Sequence, residues 1–348
     1  MPQHTSPADP HSPLVVRVAV LTYQRPDDLL DGLPLMLEQA DAITTLRGVP
    51  VTVDVLVVDN DAAGTGRRVV EAIARDRVAT AASTHPDTAH PGTAALRYVI
   101  EPVPGIVAGR NRAIDEGAGA NLLVFIDDDE RPRDNWLVSL IDTWLDTRAA
   151  AVMGRVISEF DGELEPWVAA GEFFKRRSMP TGTEIQVAAA GNLLLDLDQV
   201  RALGVRFDDR IGMGSGEDSL FSRQLVQRGG RMVWCEESAA TDRVPRARMS
   251  RRWVLDRARS HGNHETIVEL YLTSGRMPRL GVRVRAIGRG LLRVAGGYVR
   301  YGLGVATGSQ RHQARGLRTA YRGAGIATGG IGHAMQEYAR PVDTAATA

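Results

Sequence analysis

The sequence predicts an α/β protein: a mainly parallel sheet flanked by helices, followed by a basic helical extension. Three observations predict it. Short runs rich in Val, Ile and Leu alternate with longer segments of helical spacing through the first half of the 348 residues. Polar and charged clusters follow directly on those runs. Charge is also divided: residues 1–242 hold 23 Lys and Arg against 37 Asp and Glu, whereas residues 243–348 hold 19 against 5. With 43% hydrophobic and 24% charged residues, composition excludes a mostly disordered or fibrous chain.

The elements follow in order. LVVRVAVL (14–21) reads as a first strand, and Leu29, Leu30, Leu33, Met36 and Leu37 recur behind it at helical spacing. VTVDVLVV (51–58) is a second strand, with Val69, Val70, Ile73 and Ala74 marking the next helix. Residues 79–95 are poor in apolar side chains and read as a loop; LRYVI (96–100) is a third strand. GIVAGRNRAIDEGAGA (105–120) places Arg110 and Asn111 near a helix start, where free N–H groups favour an anion. LLVFID (122–127) is a nearly wholly apolar strand, and a helix runs through Trp136 to Leu145. Further strands are expected at 151–157 and 187–195. A helix at 217–228 is opened by Gly-Glu-Asp and closed by Gly229 and Gly230. Strand–helix–strand repetition implies right-handed crossovers, with ligands at the C-terminal strand ends.

Several classes lose support. One cysteine, Cys235, allows neither an internal disulfide nor a multi-cysteine zinc site. Residues 1–13 lack the basic and apolar stretches of a signal peptide and read as a disordered tail. No uncharged apolar stretch reaches the roughly 18–20 residues of a membrane span. No Gly-x-Gly-x-x-Gly follows the first strand and no Gly-Lys-Ser/Thr loop occurs, which removes dinucleotide and P-loop readings.

Chemistry concentrates at three places. Asp127, Asp128 and Asp129 end an apolar strand and would raise one another's pKa unless a cation or several donors compensate. A hard divalent metal suits such carboxylates; a solvated turn or helix cap explains them equally well. Glu217 and Asp218 sit at a helix start behind a glycine-rich loop, as ordinary capping residues or as a general base. His261 and His264 in SHGNHE read as part of a polar loop near an acceptor, rather than as metal ligands. Trp136, Trp167, Trp234 and Trp253 read mostly as packing.

Taken together, LTYQRP, VVDND, PGIVAGRNRAI, VFIDDDE, AAGNLLL, FDDRIGMGSGEDSLFSRQLVQRGG and VPRARMSRRW occur in the order of the family 2 glycosyltransferases. Over residues 14–260 the chain resembles these inverting enzymes of the GT-A fold. The resemblance implies that Thr22, Tyr23, Arg25, Asp59 and Arg110 hold the nucleotide. It further implies that Asp127, Asp128 and Asp129 meet ribose and metal-bound diphosphate, with Asp129 on the metal. Asp218 is then the catalytic base and Glu217 lies beside it. The family's histidine before the Val-Pro segment is replaced by Asp242, a carboxylate that also suits Mg²⁺ or Mn²⁺. Arginines 243, 246, 248, 251 and 252 could neutralise diphosphate. The donor would be a nucleotide-diphosphate sugar, and the acceptor a glycan or lipid-linked hydroxyl in cell-surface glycan or glycolipid synthesis.

The domain reading follows: a tail (1–13), a catalytic domain (14–260), a basic amphipathic helical extension (261–340) and a second tail (341–348). From Leu280 to Tyr298, apolar residues recur in steps of three and four, with Arg285, Arg289 and Arg293 on another face. Such a helix suits either an anionic membrane interface or packing on the catalytic domain or a second subunit. The implied location is cytoplasmic, peripheral at the inner face of the membrane. A sugar-phosphate nucleotidyltransferase would open on a glycine-rich loop, which LTYQRP is not. A non-catalytic glycan- or nucleotide-binding protein on this fold would not need Asp127, Asp129, Glu217 and Asp218. Nucleic-acid binding lacks any recognisable module.

Overall fold

The computed structural model describes residues 13–84 and 93–336. Apart from Pro13, the expected tails at 1–13 and 341–348 lie outside them, as do residues 85–92 of the expected loop. The chain runs β1 (Leu14–Thr22), α1 (Pro26–Asp41), β2 (Thr45–Leu46), β3 (Val49–Asp59), α2 (Arg67–Thr84), β4 (Ala95–Ile100), α3 (Ile106–Glu116) and β5 (Leu122–Asp127). It continues through β6 (Glu130–Pro132), α4 (Trp136–Thr147), β7 (Ala151–Phe160), α5 (Pro166–Gly171), β8 (Asn192–Asp196), α6 (Leu197–Ala202), α7 (Glu217–Gln227) and β9 (Met232–Val244). Three long helices end it: α8 (Arg251–Leu272), α9 (Arg276–Ala306) and α10 (Gln310–Gly330).

One sheet organises the front of the molecule. β4, β3, β1 and β5 lie side by side and parallel, with Val18 between Val55 and Val124. Beyond β5 the direction changes: β8 is antiparallel to both β5 and β7, β7 is parallel to β9, and β6 closes antiparallel on β9. The period of two in β1 sends Val16, Val18 and Val20 to one face, against Leu29, Leu33 and Met36 of α1. Ala19, with Leu56 and Val58 of β3, joins the opposite core beneath α3 and α7. On that second face, within the ladder, the buried Arg17 forks onto Asp54 at 2.6 Å and ties β1 to β3.

β7 and β9 slip register between Gly154 and Arg155, and Asn192 fills the irregularity. Its Nδ2 donates to the Arg155 and Ser238 carbonyls at 3.0 and 3.1 Å, and Trp136 Nε1–H donates to its Oδ1 at 2.9 Å. A Cβ on Gly154 would lie 2.3 Å from Asn192 Nδ2, so glycine is required there. Trp136, Trp167 and Trp234 are buried, and Trp253 stacks on Phe174.

Several expectations change. The segment expected as a loop from residue 79 continues helix α2 to Thr84, since Ala and Thr tolerate a helix whose register Val69, Val70 and Ile73 have set. The strand expected at 187–195 is confined to Asn192–Asp196, because Ala188 hydrogen-bonds the Ser222 side chain instead of a neighbouring strand. His261 and His264 are not in a loop: they lie within α8, which runs across residue 260. Arg110 is the fifth residue of α3, not at its first turn.

The glycines of α9 have a purpose that composition conceals. Gly290 and Gly297 face Gly323 and Gly316 of α10, and a Cβ at either would stand 2.7 Å from the opposing carbonyl oxygen. Gly262 of α8 meets Arg322, and Gly325 of α10 meets Arg259, at still closer backbone approach. Three helices therefore pack backbone to backbone, and this contact offsets the roughly 1 kcal/mol that each glycine costs a helix. Among the described residues no helix is long and apolar enough to cross a membrane.

Substitutions two residues apart should act with opposite sign. Gly288 has nothing within 4 Å of a built Cβ, so Gly288→Ala should stabilise by about 1 kcal/mol. Gly290→Ala should destabilise by about 1–3 kcal/mol through overpacking. Urea denaturation of the two variants reads both effects.

Candidate active site

The polar residues after β1, β3 and β4 form one platform. Thr22 ends β1 in register with Asp59, which ends β3. Asp59 is fully buried, and its carboxylate accepts the Asp61 and Gly66 N–H groups at 3.0 and 2.9 Å and the Tyr98 hydroxyl at 2.6 Å. Burial and the adjacent Asp59 push the Tyr98 hydroxyl far above its ordinary pKa. Asn60 ties this loop to the next: Oδ1 accepts Gly105 N–H at 2.8 Å, while Nδ2 donates to the Glu101 and Val103 carbonyls. Gln24 takes a left-handed turn at φ 55°, after which Arg25 reaches the acidic end of β5, donating to Asp128 at 2.8 Å and Asp129 at 3.0 Å. Tyr23 is half-buried at the same turn.

The acidic strand end is crowded. Loss of solvent raises Asp128 to about 7, Arg25 opposing and Asp129 adding to the rise. Desolvation also lifts Asp127 to about 6, with Arg110 opposing and Asp129 adding. Glu130, buried beneath them, is pushed well above the carboxylate range by burial and then by Asp127, Asp129 and Asp242. Gly191 makes room for this stack, since a Cβ there would lie 2.8 Å from both Asp127 Oδ2 and Glu130 Oε1. Asp129 is shared between Arg25 and Arg248, the latter at 3.3 Å. Asp242 lies opposite Glu130 in the β6–β9 ladder and is ion-paired with Arg176; burial nevertheless raises its pKa.

Arg110 joins this strand end to α7. Its guanidinium is almost wholly buried; Nη1 donates to Glu217 Oε1 at 2.6 Å, and Nη2 stands 4.0 Å from Asp127 Oδ1. Phe207 lies beneath it at 5.4 Å. Glu217 opens α7 and is buried, which raises its pKa against the pull of Arg110. Asp218, one residue on, is half-buried, with Oδ1 accepting the Ser219 N–H at 2.5 Å. Gly216 turns the chain into α7 at φ 98°, where a side chain would collide with His264. Ser215 Oγ lies 3.2 Å from both Ser260 Oγ and His264 Nδ1. Burial lowers the pKa of both histidines, His261 to about 3, so both rings are neutral at pH 7. A cavity of about 240 Å³ opens beside this loop, lined by Met213, Ser215, His264, Tyr271 and Met335.

The structure thus gathers Arg25, Arg110, Asp127, Asp128, Asp129, Glu217 and Asp242 through direct contacts or mutual electrostatic influence. It places Thr22 and Tyr23 at the adjoining turn. Asp59 stands apart in one respect: both its oxygens are already engaged by its own loop and Tyr98. Sequence reasoning missed Arg176, Tyr98 and Gly191. KRR at 175–177 was the available signal for Arg176, as the one lysine-arginine run in an otherwise acidic half. Tyr98 and Gly191 gave none, since their roles depend on strands that meet only in space.

Two predictions follow from these charges. Arg110→Ala strands a buried carboxylate and should cost about 3–5 kcal/mol in urea denaturation, much of it recovered by the pair Arg110→Met with Glu217→Met. Equal instability of single and double variants would show that the ion pair is not responsible. Asp127 and Asp128 bind protons more tightly folded than unfolded. Their contribution is full below about pH 4 and is lost as pH rises through about 6 and 7. The unliganded protein should therefore melt lower at about pH 8 than at about pH 5.5, and Asp128→Asn should shrink that difference.

Known proteins share both sequence and architecture with this chain. Residues 52–204 match the profile of Glycosyl transferase family 2. The succinoglycan biosynthesis protein ExoM of Rhizobium meliloti (strain 1021) is 29% identical over 252 residues, covering 71% of this chain and 73% of that protein. Among solved structures, the mannosyltransferase PcManGT from Pyrobaculum calidifontis, in complex with GDP-Man and Mn²⁺, matches with a TM-score of 0.55. That match has 18% identity and covers 94% of this chain and 90% of the other. Over residues 52–204 the chain is thus similar to glycosyl transferase family 2, and its fold is GT-A.

Proposed function

We propose that the protein is an inverting, metal-assisted glycosyltransferase that moves a sugar from a nucleotide-diphosphate donor to an acceptor hydroxyl, with residues 14–260 as its catalytic part. One observation carries the reading. A single buried arginine, Arg110, spans Glu217 beside Asp218 and Asp127 at the acidic strand end, so the base and the donor cleft are held in one rigid relation. Thr22, Tyr23, Arg25, Asp59 and Arg110 then border the nucleotide, and Asp127 and Asp128 the ribose and diphosphate. Asp59 acts by shaping the loop that receives the base rather than by offering a free oxygen.

The donor set fits a hard cation. Asp129 and Asp242 supply oxygen ligands only, and burial first, then neighbouring carboxylates, raises the pKa values of Asp127, Asp128 and Glu130, a rise that a cation would oppose. Among the described residues no three acidic, histidine or cysteine side chains surround one point, so the diphosphate would complete the coordination. When bound, Mn²⁺ or Mg²⁺ supplies charge stabilisation for the departing diphosphate. Asp218 accepts the proton of the acceptor hydroxyl as that oxygen bonds to the anomeric carbon. The bond to diphosphate breaks on the opposite side, inverting the centre. Arg25, Arg176 and Arg248, which neutralise carboxylates in the structure, lie ready to pair with phosphate oxygens. ExoM is named for succinoglycan biosynthesis, and a hydroxyl of a growing surface glycan or glycolipid, met at the inner face of the cell membrane, is the acceptor that fits.

Calorimetry with UDP, GDP, dTDP and CDP, each with and without Mn²⁺, tests the donor site. One nucleotide should bind in a metal-dependent way, with Asp129→Asn weakening it about tenfold or more. Affinity for the metal should rise from pH 6 to about pH 8 as Asp127 and Asp128 lose their protons. Asp218→Asn should keep nucleotide affinity while slowing sugar transfer by about 10²–10⁴. Folded protein that binds none of the four nucleotides would overturn the assignment.

A further inference from the structure

Helix α9 is turned the opposite way from a helix that packs by its apolar side. Its inner face is mostly small: Ala286, Gly290, Gly297 and Gly304 are buried, the glycines against α10, and Val282 packs on Ile267 and Leu270 of α8. Its outer face is apolar and, among the described residues, uncovered, with Met277, Val284, Leu291, Leu292, Val299 and Leu303 each more than half exposed. The helix is 31 residues long, so this face extends for about 46 Å. A soluble surface rarely leaves so continuous a strip of large aliphatic side chains in water.

Charge on the segment that carries the strip is of one sign. Residues 270–336 contain eleven arginines and not one Asp or Glu. Arg285 and Arg289 lie along one border of α9, where they pair with Glu269 and Glu265 of α8 at 2.9 and 3.0 Å, and Arg293 extends that border, exposed. Two copies of the chain meeting through this face would set one arginine border against another. An anionic lipid surface, by contrast, would take the aliphatic strip into its acyl boundary and the arginines into its headgroups.

We propose that the outer face of α9 docks the enzyme on an anionic membrane surface. This deepens the reading of a glycosyltransferase that works at a membrane face, naming the element that makes the contact. The inner glycines serve the same end, since they let α9 lie flush on α10 while most of its large aliphatic side chains point outward.

The test is co-sedimentation of the full chain with vesicles of phosphatidylcholine containing about 30% phosphatidylglycerol, beside vesicles of phosphatidylcholine alone. Binding should be about tenfold or more stronger to the anionic vesicles, and the pair Leu291→Glu with Leu292→Glu should lose it at an unchanged melting temperature. Wild-type protein that stays in the supernatant with both vesicle types overturns the proposal, as does a double variant that still binds. A wild-type dimer in light scattering that the double variant converts to monomer, without vesicle binding, assigns the face to self-association instead. Nucleotide binding measured on the same preparations separates failure of this contact from failure of the donor-site reading, because vesicle binding requires neither donor nor acceptor.

Discussion

Backbone hydrogen bonds that hold β1 between β3 and β5 place Thr22 opposite Asp59 and Leu21 opposite Asp127, and the cleft follows from that register. Side chains alternate along a strand, so a slip of one residue in either pairing would send the polar strand ends into opposite layers. The buried valines of β1 and β3 forbid such a slip, because it would bring their apolar rows out of the core. Core packing thus fixes where the charged residues emerge. The loops add only short-range corrections, of which the Asn60 bonds to Glu101, Val103 and Gly105 are the firmest.

Negative charge gathered at that edge would be costly by itself, and arginines from distant parts of the chain meet it. Arg25 comes from the turn after β1, Arg110 from α3, Arg176 from the segment after α5, and Arg248 from the turn before α8. The contacts of Arg25, Arg176 and Arg248 are exchangeable: a phosphate oxygen offers an arginine the same geometry as a carboxylate. Arg110 differs. Its bond to Glu217 is buried at both ends, where water cannot replace a lost partner, and it acts as a fixed strut between two walls of the cleft.

Much of this was legible in the chain itself. Runs of Val, Ile and Leu gave β1, β3 and β5 to within a few residues, since a strand buried on both faces leaves little choice of side chain, and the half-buried β4 was legible from its β-branched and aromatic residues. The acidic strand end and the Glu217–Asp218 turn stood out because charged residues next to apolar strands are unusual. What did not show was anything set by contact between remote segments. Tyr98 reads as one more aromatic in a strand until Asp59 is found beneath its hydroxyl. The α9 glycines read as helix-weakening until α10 is seen to lie against them. SHGNHE reads as a loop by polarity, yet Gly262, Asn263 and Thr266 are buried inside α8.

Neighbouring residues of α8 look in opposite directions. His264 touches the turn at Gly216 that leads into Asp218, while Glu265 holds Arg289 of α9 and Arg322 of α10. Because the three helices meet backbone to backbone, little compressible side chain lies between them to absorb a displacement. The bundle therefore forms a closely packed body that runs from the outer face of α9 to the turn at Gly216. Under the proposed reading, a load applied along α9 would reach, through adjacent residues of one helix, the turn that carries Asp218, so how the molecule is held and where that carboxylate points would be linked.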